Sequence, residues 1–194
     1  MDVRGEAAAE TGRSILRATM DLYTERFYDQ VSLEDVAERA GVTVQTLLRR
    51  FRCKEELISA AAEASRSTIR SQRDEAKAGD IAGAAKALID TYEAHGVRVL
   101  RLLAQEERVA AFRLITDTGR AFHYEWVERV FAPLLAKHPR NGRERLRAQI
   151  IATCDVYFWK TLRHDLGLSR EQALSAVINS LAALDAAPVK KQNR

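Results

Sequence analysis

Apolar side chains recur every three to four residues from one end of this sequence to the other, and no stretch alternates apolar with polar as a half-buried strand does. That periodicity confines the chain to helix packed on helix. With 194 residues, 46% of them hydrophobic, such packing can bury a sizeable core. No apolar run reaches the roughly 18 residues of a membrane span. Met1–Glu10 lacks the basic start and apolar middle of a signal peptide. Cys53 and Cys154 make neither a disulfide framework nor a Cys-rich zinc site. The expectation is an all-α, cytoplasmic protein with no membrane partner.

The helices can be placed from their caps. Ile15, Thr19, Leu22 and Tyr23 share one face of a first helix that ends near Phe27. Leu33, Val36, Ala37 and Ala40 follow at helical spacing. Ser32 caps that second helix, with Asp35 as a shortened capping-box acid, and Gly41 closes it. Thr43 caps a third, short helix carrying Leu47, Leu48 and Phe51. A fourth opens near Lys54, with Glu55 and Glu56 favourable in its first turn, and runs toward Ala78 before a break at Gly79–Asp80. Further helices are expected over about Ile81 to His95, with Gly96 an interruption or bend, and Val97 to Glu107. Short segments around Val109–Thr116 lead to another over Gly119 to Ala136, bent or ended by Pro133. His138–Gly142 reads as a loop. A long helix over about Glu144 to Asp165 is closed by Gly167. Ser169 and Gln172 cap a last helix, whose stripe is Leu174, Val177, Ile178, Leu181 and Leu184 and which ends before Pro188. The tail Val189–Arg194 reads as polar and loose.

Leu33–Phe51 has the layout of a helix-turn-helix: an amphipathic helix, a Gly-containing turn at Ala40–Gly41–Val42, and a second short helix. Ala37 is small where two helices must meet closely. Val42 and Leu47 can lock the second helix onto the first. Thr43, Val44, Gln45, Thr46, Arg49 and Arg50 are then left facing outward on a helix that fits the major groove of B-DNA. Gln45 suits an adenine edge, Arg49 a guanine, and the methyls of Val44 or Thr43 a thymine methyl. Thr46, Arg50 and Lys54 are placed as phosphate contacts, which position a protein without reading sequence. On pattern alone a structural helix pair remains as good a reading, and the chain is then a helical small-molecule-binding protein that never meets DNA.

Net charge does not decide between them. The first sixty residues hold 9 basic and 11 acidic side chains, and the remainder 22 and 16. What stands out is a local island, Val42 to Lys54, with Arg49, Arg50, Arg52 and Lys54 and no acid. Such a patch can engage phosphates even on a neutral domain.

Ile15 through Leu57 resembles the N-terminal domain of the TetR family of bacterial transcriptional repressors. The likeness lies in the helix ending at Phe27, in Val31–Val42, in Thr46–Leu47 and Phe51, and above all in Lys54–Glu55–Glu56–Leu57. The sequence departs from the family pattern at Gln45, where a small residue is usual, and at Leu48, where an aromatic is; Arg49 and Arg50 are placed to supply the phosphate contact that Leu48 lacks. The resemblance implies a DNA-binding domain over residues 1–53, with Ser32, Thr43, Val44, Gln45, Thr46, Arg49, Arg50 and Lys54 at the DNA. It implies a larger helical domain over residues 54–194 that binds an effector and dimerises through the last two long helices. The partners implied are double-stranded operator DNA, a second copy of the chain and a small-molecule effector. The middle of such a chain encloses a ligand cavity. Tyr92, His123, Trp126 and Phe158 are the first candidates to line it, out of a set that also includes His95, Phe112, Phe122, Tyr157 and Trp159. No charge sign prevails among them, so a mostly apolar or aromatic effector is expected.

No H-x-x-x-H or H-E-x-x-H spacing links the four histidines, and no nucleophile elbow, P-loop or dinucleotide fingerprint occurs. Neither a metal, a cofactor nor an enzymatic activity is therefore expected. Cys53 stands between Arg52 and Lys54 at a helix start, a setting that raises thiol reactivity, although a small capping residue is the plainer reading. Cys154 reads as buried filler.

Overall fold

The computed structural model describes residues 3–186, and every regular element among them is helical. In order these are α1 (Val3–Glu25), a 3-10 turn (Tyr28–Gln30), α2 (Leu33–Ala40), α3 (Val44–Arg50), α4 (Lys54–Asp74), α5 (Ile81–Leu103), α6 (Ala110–Val130), α7 (Ala132–Ala136), α8 (Arg140–Thr153), α9 (Val156–Lys160), a π turn (Thr161–Asp165) and α10 (Arg170–Ala186). None of the described helices is long and apolar enough to cross a membrane. The tail from Val189, read above as loose, lies outside the described residues.

The chain forms two compact units. The first takes the residues up to Thr68 together with Val97–Thr118; the second takes Ile69–Gly96 and the residues from Gly119 on. The core of the first unit is built from Ile15, Leu22, Tyr23, Val36, Leu47, Leu57 and Phe112, among others. Each such side chain contributes about 1.5–3 kcal/mol on burial. Phe112, expected above among the cavity candidates, belongs to this core: its ring meets Tyr23 and Tyr28 edge-on, with centroids 5.7 and 5.6 Å apart. The second unit is centred on Trp126, Phe131, Leu88, Ile89 and Ile150, all nearly inaccessible to solvent.

The helix boundaries beyond residue 80 differ from the sequence expectation in three places. Gly96 does not interrupt α5, which is continuous from Ile81 to Leu103. A Cβ at Gly96 would stand 2.4 Å from the Trp159 ring, so glycine is there for a close approach rather than a bend. The helix expected from Gly119 begins at Ala110 and ends at Val130; Pro133 then sits in the first turn of the separate α7, where its missing N–H costs nothing. The long helix expected over residues 144–165 is broken. It starts earlier, at Arg140 behind Pro139, and stops at Cys154. The Asp155 carboxylate then accepts from the Tyr157 N–H and starts α9, and a π turn carries the chain to Leu166. The last helix begins as its caps foretell: Ser169 Oγ accepts from the Gln172 N–H, and Gln172 Oε1 accepts from the Ser169 N–H.

Candidate nucleic-acid interface

The α2–α3 pair is held at both ends by its own side chains. Ser32 Oγ accepts from the Asp35 N–H at 3.1 Å, and the Asp35 carboxylate accepts from the Ser32 N–H at 2.7 Å. Those bonds, with Arg26 beside it, hold the Asp35 carboxyl below the usual range. Gly41 takes the left-handed conformation (φ 68°, ψ 36°) at the end of α2. A side chain there would be strained although nothing crowds it. The Val42 N–H returns to the Ala37 carbonyl at 2.9 Å, which fixes the turn. Thr43 Oγ1 accepts from the Thr46 N–H and pairs with its hydroxyl, starting α3. Leu47 is the buried residue of α3.

Burying Leu47 decides what the rest of α3 presents. Thr43, Gln45, Leu48, Arg49 and Arg50 are exposed, and Val44 and Thr46 are half-buried. Gln45 and Arg49 make no hydrogen bond or ion pair among the described residues, so their polar groups are available to a partner. Arg50 is partly committed: one guanidinium N–H donates to the Ala8 carbonyl of α1 at 2.7 Å, where Gly12 leaves room for it, and its other donors remain. Lys54 also has internal duties. Its ammonium donates to the Tyr28 carbonyl at 2.8 Å and lies 3.9 Å from the Tyr28 ring centre. Partial burial lowers its pKa against the pull of Asp29 and Glu55. Two of its three N–H donors remain. Ser32, spent on the cap, is exposed at the mouth of α2.

The platform under α2 and α3 comes from an aromatic and ionic lattice. The Tyr28 hydroxyl donates to Glu55 at 2.6 Å, and burial together with that carboxylate pushes the phenol up to about 12. Gln105 Oε1 accepts from the Tyr28 N–H at 2.8 Å. Arg39 binds Glu25 with both nitrogens, at 3.0 and 2.9 Å. Nothing near residues 28–31 in sequence announces Gln105 or Phe112 as their partners.

Three of the four cavity candidates meet in the second unit. Tyr92, His123 and Trp126 are buried, and they surround a residue that sequence reasoning passed over. Arg73 of α4 is only 3% exposed. Its guanidinium carbon stands 5.1 Å from the Tyr92 ring centre and 5.0 Å from that of Trp126, and one nitrogen is 3.0 Å from His123 Nδ1. The fourth candidate, Phe158, is half-buried on α9 and takes no part in these contacts. Arg73 had a signal: it falls in register with Ile58, Ala62 and Ile69 on the apolar stripe of α4.

Since Arg73 can only donate, His123 Nδ1 accepts, and the ring proton lies on Nε2, 3.4 Å from the Ile151 carbonyl. Burial first, and the charge of Arg73 second, depress the His123 pKa to about 3. The folded ring thus stays neutral where an unfolded histidine takes up a proton, below about pH 6.5. Unfolding then binds the extra proton, so stability is lost as pH falls through that window, by at most about 1.4 kcal/mol per pH unit from this residue. Melting curves between pH 7 and 4 are expected to show this slope and His123→Gln to flatten it; equal slopes in both proteins would place the acid sensitivity elsewhere. Cys154, whose carbonyl accepts the Tyr92 hydroxyl at 3.0 Å, is buried and its thiol is pushed up to about 12, as suits an inert side chain. Cys53 is free and exposed.

Residues 15–61 match the family of bacterial regulatory proteins described as the tetR family. No curated protein matches the sequence. Solved structures do resemble the fold. A transcriptional regulator from Rhodococcus sp. Rha1 is 18% identical with a TM-score of 0.70, over 91% of this chain and 99% of its own. A tetR-family transcriptional regulator from Streptomyces coelicolor is 18% identical with a TM-score of 0.69, over 89% and 81%. A transcriptional regulator from Aquifex aeolicus VF5 is 18% identical with a TM-score of 0.66, over 90% and 99%. At that identity the structures speak for the fold, while the sequence match falls on the helix-turn-helix whose outward face is described above. Residues 15–61 thus form a tetR-family regulatory domain, and the chain as a whole has the fold of solved transcriptional regulators.

Proposed function

We propose that the protein is a dimeric repressor that holds a palindromic operator through α3 and leaves it when a small molecule binds the helical region beyond residue 53. The observation that carries this reading is the free, outward face of α3, with Gln45 and Arg49 uncommitted on a helix capped at its start and anchored by Leu47. Gln45 reads adenine, Arg49 reads guanine, and Thr43 and Val44 offer methyl groups to thymine. Ser32, Thr46, Arg50 and the remaining donors of Lys54 face phosphates.

Residues 1–53 form the DNA-reading part in this proposal, and residues 54–194 the effector and dimer part. Two copies of α3 must sit about 34–36 Å apart to enter successive major grooves. An effector that prefers another spacing weakens DNA binding by linkage. The lever is α4, which contributes Lys54–Thr68 to the first unit and the residues from Ile69 on to the second. The effector's body is apolar or aromatic, matched to Tyr92 and Trp126.

Selection of bound sequences from random double-stranded DNA at near-physiological salt tests the reading. A palindrome with two half-sites is the expected result, with affinity falling steeply as salt rises. A folded protein that recovers no sequence is instead a helical small-molecule binder with a structural helix-turn-helix. Arg49→Ala is expected to weaken the selected operator by about ten- to a hundredfold per half-site, the cost of one bidentate base contact. Its sedimentation should equal that of the parent. Unchanged affinity would displace Arg49 from the DNA.

A further inference from the structure

The guanidinium of Arg73 is a buried cation with no carboxylate to balance it. Among the described residues it forms no ion pair, and its Nε–H has no acceptor. The carboxylates close by in sequence or space are committed elsewhere: Asp74 pairs with Arg129 at 2.7 Å, and Asp155 caps α9. What surrounds Arg73 is neutral: the His123 imidazole, the Tyr92 hydroxyl and the ring faces of Tyr92 and Trp126. Ring faces attract a cation without neutralising it. A charge kept in such a place without a carboxylate partner costs stability, which makes it a candidate for a functional role.

We propose that Arg73 anchors the carboxylate of an organic acid, so that the effector is a monoanion with a flat apolar body. This rests on the reading of the helical region as an effector domain. One buried cation balances one negative charge, whereas a phosphate ester brings nearly two. The Nε–H and Nη–H of an arginine present a fork that matches a carboxylate with two parallel hydrogen bonds. Room for the body lies next to it. An open recess of about 170 Å³ is lined by Arg70, Asp74, Phe122, Glu125, Trp126 and Arg129. That volume is comparable to the ~150 Å³ cavity that accepts benzene. The charged side chains in its wall are two of each sign, so the wall itself does not select an anion. Selection falls to Arg73, and Trp126 belongs to both places: its ring lines the recess and faces the guanidinium. In the proposal, ligand entry requires Trp126 to turn and give up the bond its indole N–H makes to the Arg73 carbonyl at 3.1 Å.

The test uses the full chain. Benzoate, phenylacetate and octanoate are compared with their amides at millimolar concentration, reading the melting temperature and tryptophan fluorescence. At least one acid is expected to raise the melting temperature saturably by several degrees and to change the fluorescence, while its amide does neither. Arg73→Met is expected to melt higher than the parent, because the unbalanced charge is gone, and to lose the response to acid. Arg73→Lys, which keeps the charge but not the fork, should weaken acid binding about tenfold or more. If Arg73→Met does not fold, the acid and amide series on the parent decides alone. No shift with any acid, equal shifts with acids and amides, or a shift that survives Arg73→Met overturns the proposal. Operator release is measured separately. An acid that binds through Arg73 and releases no DNA keeps the anion site and removes the effector reading. Release by the amides as readily as by the acids removes the anion site and keeps that reading.

Discussion

Phe112→Ala is expected to cost about 3–5 kcal/mol, as truncation of a fully buried aromatic does, and to lower the melting temperature by on the order of 10 °C. Phe112 is 0% exposed and its ring meets both Tyr23 and Tyr28 edge-on. Tyr23 belongs to α1, and Tyr28 holds Lys54 and Glu55 at the start of α4. Truncation therefore removes a support shared by the elements on which α2 and α3 rest. Operator affinity should fall together with stability, although Phe112 lies far along the sequence from any residue proposed to touch DNA. Urea denaturation followed by operator titration under native conditions measures both. A stability loss of that size with unchanged affinity would show that α3 keeps its pose without the aromatic cluster.

Leu47→Ala should produce a comparable loss, about 2–5 kcal/mol. Here the reason is the size of α3. Seven residues are too few to remain helical alone. The helix exists because Thr43 caps it and because Leu47, 0% exposed, ties it to the core. With Leu47 shortened, every residue proposed to face DNA is still present, yet the surface that carries them is no longer held in one geometry. Affinity is expected to drop with stability, and circular dichroism against urea should show the earlier transition. Leu48→Ala is the matched control. Leu48 is 44% exposed, so its loss should change stability by no more than about 0.5 kcal/mol. If the two substitutions are equally mild, Leu47 is not the anchor.

The pair Leu47 and Leu48 also shows how far sequence reading reaches. Both are leucines on a short helix, and a helical period over seven residues barely separates them. The helix-turn-helix layout, with its turn at Gly41 and cap at Thr43, sets Leu47 to lock the second helix onto the first, and Leu47 is buried. Caps and turns are legible because they are made by residues three or four positions apart. The start of α10 at Ser169 and Gln172 succeeds for the same reason. Glycine and proline were less reliable guides. Gly96 signals a break when read locally, yet it makes space for Trp159, whereas Pro133 does mark the break between α6 and α7, although by opening the second rather than by ending the first.

Arg73 marks the other limit. Its place on the apolar stripe of α4 is visible in the sequence, but a long arginine on such a stripe usually carries its charge out to water. Whether it does so is decided by α5 and α6, which bring Tyr92, His123 and Trp126 around it. The amino-acid sequence by itself determined an all-helical chain, the capped helix-turn-helix and the outward face of α3, because these depend on periodicity and on contacts within a few residues. Only the tertiary structure decided that Phe112 and Gln105 support the helices of the helix-turn-helix, that Gly96 admits Trp159, and that a cation is buried in the second unit. Each of those depends on which distant segments pack together, and side chains far apart in sequence carry no local mark of the neighbour that will enclose them.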